Sequence, residues 1–235
     1  MMLSLEQVKR KDLGLVLIYI FSFLGLVIAF TIIGIILSTM SVSDSTIDTI
    51  TVIFYVLFYG GLAIGMVWYE RNYVIQHQWA IVKRKPAFTL LMVLLGLFLI
   101  FTVLYLIAGF YTLIGYEATS QNQEAIESMM SQWYNIIMVG IFSVIFVPFV
   151  EELVFRKAIY GIFYRKWGNV AAILLNSFIF AAIHMTSEIT NFAGYLPYFL
   201  MGTVISFAYF YSGKLIMVPI LIHMFWNLFS LLMNL

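Results

Sequence analysis

Seven apolar runs occupy most of this chain, at roughly residues 13–37, 50–69, 87–115, 133–155, 169–185, 194–211 and 215–234. A helix needs about 20 mostly apolar residues to cross the hydrocarbon core of a bilayer. No water is present there to satisfy free backbone groups, and a helix satisfies them within its own segment. The predicted fold is therefore all-α: a polytopic transmembrane helical bundle of about seven spans, with room for an eighth short or re-entrant segment. Composition agrees, with 63% of the 235 residues hydrophobic and 10% charged, against about 25% charged in soluble domains. No internal repeat or low-complexity tract is visible. The expectation is one membrane domain, 1–235, with N-terminal spans at about 13–115 and a motif-bearing core at about 135–235.

The remaining residues narrow the chemistry. A net charge of +1 leaves no basic excess for nucleic acid. The absence of cysteine excludes disulfides, thiolate metal sites and a cysteine nucleophile. The first apolar run is longer than the about 7–15 residues of a signal-peptide core and is expected to remain as a span.

The connectors are asymmetric. Lys9, Arg10 and Lys11 precede the first run. Arg71, Lys83, Arg84 and Lys85 follow the second, Arg156, Lys157, Arg165 and Lys166 follow the fourth, and Lys214 follows the sixth. The alternate loops Ser38–Thr49, Glu117–Gln132 and Met185–Asn191 contain no Lys or Arg. Cytoplasmic loops are the ones rich in Lys and Arg, so the N-terminus is expected in the cytoplasm and the C-terminus outside. Two connectors have patterns of their own. Arg71–Lys85 suits an interfacial helix, and Glu117–Gln132 carries Ala125, Ile126, Met129 and Met130 at helical spacing. The plain alternative for both is a solvated connector.

Ionisable groups inside a span cost about 2.5–3.5 kcal/mol each, which makes them functional candidates. Three clusters stand out. Glu151 and Glu152 are adjacent in Pro148–Arg156. Glu152 lies four residues before Arg156, the favourable pairing direction, whereas Glu151 points about 100° away and is left for chemistry. His184 closes the apolar run Phe180–His184. His223 and Asn227 are four apart and share one helical face. Taken singly, these are also what an interfacial charge cluster, a core histidine and an interhelical polar clamp would look like.

Depth makes them persuasive together. If runs four and five form a hairpin at Trp167–Gly168, Glu151 and His184 each lie about 24 Å from the turn. If runs six and seven turn at Ser212–Gly213, His223 and Asn227 fall about 15–21 Å beyond it. A Glu and a His can bind and deprotonate a water. A second His and an Asn can donate to the oxyanion formed when that water attacks an amide. Glu151, His184 and His223 are equally the ligand types of a catalytic zinc site, so the residues are compatible with a divalent metal as well as with none. No HExxH helix, GxSG serine motif, YD/GxGD aspartate pair or phosphate loop is present.

Glu151-Glu152-x-x-x-Arg156, Phe180-x-x-x-His184 and His223-x-x-x-Asn227, in that order on the last spans, resemble the three motifs of the CAAX protease and bacteriocin-processing (CPBP, Abi) family. The resemblance covers roughly residues 135–235. It implies an intramembrane endopeptidase in a prokaryotic cell membrane, acting on a peptide or lipid-anchored protein among membrane lipids. By that resemblance Glu151 is the general base, His184 helps activate water, His223 and Asn227 stabilise the oxyanion, and Glu152 and Arg156 support the site. Family members are described both as metalloproteases and as metal-independent glutamate enzymes, and the motifs suit both. Two competing readings stand: a non-proteolytic immunity or scaffold protein of the same fold, and an ion-coupled transporter using the buried carboxylates as a proton relay. The oligomeric state is left open.

Overall fold

Each apolar run becomes a helical limb. The computed structural model of the chain describes residues 5–40, 42–116, 121–186 and 191–235, and only the backbone of 121–123 and 192. The long helices are α1 (Leu5–Ser38), α2 (Asp44–Tyr69), α4 (Pro86–Leu113), α8 (Phe192–Tyr211) and α9 (Met217–Met233). Between them lies a 52-residue helical stretch, Trp133–His184. It breaks at Gly168, whose φ of 80° and ψ of −174° suit glycine, because a Cβ clashes in that region. The limb before the break is α6 and the limb after it α7. By length and composition five stretches can cross a bilayer, counting Trp133–His184 as one, and Met217–Met233 is a shorter apolar helix. No strand occurs among the described residues.

Gly168 makes α6 and α7 an antiparallel hairpin. Phe155 meets Phe180 with ring centroids 5.3 Å apart, and Glu151 meets His184 at 3.9 Å. Each pair sums to residue number 335, as an antiparallel register requires. The hairpin is the centre of the bundle. In its most apolar window 44% of residues are buried, against 6% in α1, whose outer face is lined with exposed Phe21, Ile28 and Ile35. A helix that is apolar all round with one such face is lipid-facing. α1 packs on residues 153–159 of α6, α2 on its earlier half, and α4 on α8 and α9. At α7 and α8 small residues let the backbones approach. A Cβ at Gly202 would stand 3.2 Å from the Phe180 ring and 3.3 Å from Ser177 Cα.

Two helices extend beyond the apolar runs that they contain. α6 does not stop near residue 155 but continues to the Gly168 break, and α1 begins at Leu5, ahead of its basic cluster. The reason is an ion network. Lys157 Nζ lies 2.9 Å from Asp12 and 2.8 Å from Glu70, and Arg165 lies 2.7 Å from Asp12. Paired charges can stay inside the bundle, so helices can run through them. The Arg71–Lys85 connector is helical, with a π turn at Asn72–Gln78 and α3 at Trp79–Arg84. Gln78 is buried and accepts from Ile216 N–H at 2.8 Å, which ties this connector to the start of α9. Residues 117–120 and 187–190 of the two outer connectors lie outside the described residues. The rest of the first forms α5 (Gln121–Ser128), and its Ile126, with Met129 and Met130 just beyond, packs on Val52, Val139 and Phe142.

Candidate active site

Pro148 shapes the helix that carries the two glutamates. It follows a π segment, Ile141–Phe146. In π geometry the carbonyl of Ser143 would accept from residue 148, but proline has no N–H. Asn227 fills that role: its Nδ2 donates to Ser143 O at 2.8 Å. A backbone acceptor orphaned in α6 thus orients the amide of α9. The sequence carried the cause in Pro148 and the answer in Asn227, but their link passes through a main-chain atom with no side-chain signature.

Glu152 and Arg156 form the hidden half of the site. Both are fully buried, and Arg156 Nε lies 3.1 Å from Glu152 Oε2. The contact is at ion-pair distance without hydrogen-bond alignment. The rest of the guanidinium has no hydrogen-bond partner and lies over the Phe180 ring, 4.8 Å from its centroid. The other oxygen of Glu152 receives His223 Nδ1 at 2.8 Å. A carboxylate only accepts, so Nδ1 carries the proton and, in the neutral ring, Nε2 is a bare lone pair. That lone pair points to Glu151, 3.9 Å from Oε2.

His184 is held the same way by a different partner. Its Nδ1 lies 2.8 Å from the carbonyl of Phe180, which also only accepts. Its Nε2 is therefore the bare nitrogen, 3.9 Å from Glu151 Oε1. Tyr198 stacks on the ring at 4.8 Å and fixes its plane. Glu151 sits between the two histidines, 6% exposed. All six expected residues thus belong to one connected constellation. Glu151, His184, His223 and Asn227 line a cavity of about 620 Å³, while Glu152 and Arg156 lie behind it. Ser143 and Tyr198, which the sequence did not mark, line it too.

Glu151, His184 and His223 have zinc-ligand chemistry, and each histidine carries the buttress that such ligands carry. Their spacing is wider than coordination. Donors sharing a tetrahedral zinc stand roughly 3.4 Å apart, whereas both Glu151–His separations are 3.9 Å. Among the described residues no group of three His, Asp or Glu side chains is arranged to hold a metal ion.

Residues 133–229 match the family model "Type II CAAX prenyl endopeptidase Rce1-like". The chain is 32% identical over 148 residues to a Bacillus subtilis (strain 168) protein named "Putative membrane peptidase YdiL", covering 57% of each. It is 39% identical over 95 residues to the "Membrane-embedded CAAX protease MroQ" of Staphylococcus aureus (strain USA300), covering 37% of this chain and 36% of that one. The chain thus matches little more than half the length of the first relative and about a third of the second. No solved structure matches it significantly. The resemblance first carried by three short motifs extends over residues 133–229, the hairpin and the helices after it, where this integral membrane protein is similar to the Type II CAAX prenyl endopeptidase Rce1-like family.

Proposed function

We propose that this chain is an intramembrane endopeptidase that hydrolyses peptide bonds of membrane-associated peptides or lipid-anchored proteins with water activated by Glu151 and His184. One observation carries the reading. Glu151 Oε1 and His184 Nε2 are both acceptors, 3.9 Å apart, too far to bond each other and with no proton to share. A water about 2.8 Å from each would see them at roughly 90°, near its own H–O–H angle. It would donate one hydrogen to each and leave an oxygen lone pair free for attack.

The reaction then balances on this chain's own groups. The water oxygen bonds to the scissile carbonyl carbon as Glu151 takes its proton. The second N–H of the Asn227 amide, whose first is held by Ser143, donates to the oxyanion. His223 adds a second donor when its ring carries both protons, with Nδ1 held by Glu152 as in a carboxylate–histidine dyad. Collapse breaks the C–N bond, and Glu151 returns the proton to the leaving nitrogen. Products are a carboxylic acid, whose hydroxyl keeps the second proton of the water, and an amine, with no covalent intermediate. The connector charges support an N-terminus in the cytoplasm and a C-terminus outside.

The test is cleavage by purified protein in detergent or liposomes, using a fluorogenic peptide library. Glu151→Gln, which keeps the shape and removes the base, is expected to abolish cleavage without lowering the melting temperature. Full activity in a Glu151→Ala, His184→Ala double variant would sink the reading.

A further inference from the structure

We infer that a second groove, apart from the catalytic cavity, seats one acyl chain of an anionic glycerophospholipid whose phosphate meets Lys166. The groove lies between α1 and the α6–α7 hairpin and encloses about 330 Å³. Val16 and Ile20 of α1, Ile159 and Ile162 of α6, and Ile179 and Ile183 of α7 line it, and its wall presents no polar atom. Ile20 is exposed, so the groove opens on the lipid-facing side of α1. None of the six candidate catalytic residues lines it, and Ile183 is the one residue that the two cavities share.

Its size and chemistry select the occupant. Side chains around a void lose the contacts that a filled space would give them, so an apolar filling is favoured. From Val154 to Phe163 the groove follows α6 for about 14 Å. A helix of that length with its side chains, about 10–12 Å across, would fill roughly 1,300 Å³ and does not fit. An extended peptide would set its N–H and C=O groups against a wall with nothing to bond them. An alkyl chain meets neither obstacle.

Charge at one end specifies the head group. Phe163, which lines the groove, stacks on Trp167 with centroids 5.5 Å apart. Trp167 in turn carries Lys166, whose Nζ lies 4.5 Å from the ring centroid. Lys166 is exposed and continues the stripe of Ile159, Ile162 and Phe163 by one turn, about 5 Å beyond the groove. Lys9 of α1 comes to the same level. Tyr19 pairs with Phe155 and Asp12 with Arg165, and that antiparallel register sets Lys9 beside Lys166. Neither lysine forms an ion pair among the described residues. Two unpaired cations at the end of an apolar groove complement a phosphate that carries an acyl chain. A zwitterionic head brings its own positive charge beside them and gains less.

The test is native mass spectrometry of the full chain in detergent with phosphatidylglycerol or phosphatidylcholine added. Phosphatidylglycerol is expected to stay bound, favoured over phosphatidylcholine by at least about fivefold. Combining Lys9→Gln with Lys166→Gln, both at exposed positions, should bring the two lipids level. Ile162→Trp, which fills the groove, should remove both. Phosphatidylglycerol with a diazirine at the end of one acyl chain reads the position. Its adducts are expected on Val154, Ile179 and Ile183 and should vanish in Ile162→Trp. An unchanged preference in the double lysine variant, or adducts spread evenly over the outer face of α1 at Phe21 and Ile28, overturns the inference. Displacement by an equal concentration of oleate assigns the groove to a free fatty acid, and a lipid-free dimer assigns it to a second copy; either overturns the phospholipid. If Ile162→Trp does not fold, the lysine variant and the adduct positions still decide. None of these readouts requires cleavage, so they stand apart from the protease reading.

Discussion

His223 Nδ1 donates to Glu152 Oε1 across 2.8 Å, while Glu152 Oε2 lies 3.1 Å from Arg156. Glu152 thus fixes which nitrogen of His223 faces the substrate. Glu152→Gln offers His223 a neutral amide in place of the carboxylate, which permits the other tautomer and withdraws support from the charged ring. The expected result is a fall in kcat of about 10³-fold, on the scale of other dyad carboxylates, with KM little changed. Steady-state kinetics of the folded variant check it.

Arg156 keeps that carboxylate compensated inside the bundle. Removing one partner of a buried pair costs about 3–5 kcal/mol because a lone charge remains. Arg156→Met should therefore lose that much stability in a reversible denaturation measurement. Adding Glu152→Gln should recover most of it while leaving the enzyme inactive. Stability and activity then separate, which a purely structural role for the pair does not predict.

Pro148, Ser143 and Asn227 form a second linked set. Asn227→Ala should lower kcat by about 10²–10³-fold, the cost of one oxyanion donor, and orphan the Ser143 carbonyl, at about 1–3 kcal/mol. Pro148→Ala supplies an N–H at residue 148 that can reach that carbonyl. In a double-mutant cycle Pro148→Ala should rescue part of the stability lost in Asn227→Ala, with a coupling of about 1 kcal/mol, and none of the lost rate.

Lys157 bridges Asp12 and Glu70. Lys157→Met leaves Glu70 with Lys11 at 3.9 Å and Asp12 with Arg165 alone. A loss of about 3 kcal/mol is expected, together with faster proteolysis of α1, measured by limited digestion in detergent micelles.

Water activation by Glu151 and His184 predicts that cleavage survives dialysis against a strong chelator. Loss of activity that returns with added zinc would move Glu151, His184 and His223 into the role of ligands. Metal content by mass spectrometry, read alongside, separates the two outcomes.

The sequence by itself determined the medium and the helices. Long apolar runs leave the chain no other solvent than lipid, and the period of a helix places Glu152 beside Arg156 and His223 beside Asn227. Trp167–Gly168 marked the hairpin, and equal residue offsets from the two residues of that turn put Glu151 opposite His184, where the structure has them. The pairing of Asp12, Glu70, Lys157 and Arg165 was not legible, because they neutralise one another across three helices and no local pattern records a partner more than fifty residues away. The orientation of His223 was decided only by tertiary structure. His184 turns its Nδ1 to the Phe180 carbonyl one turn back in its own helix, a local contact. His223 turns its Nδ1 to Glu152, 71 residues away, and that short-ranged, directional bond exists only once the helices have packed.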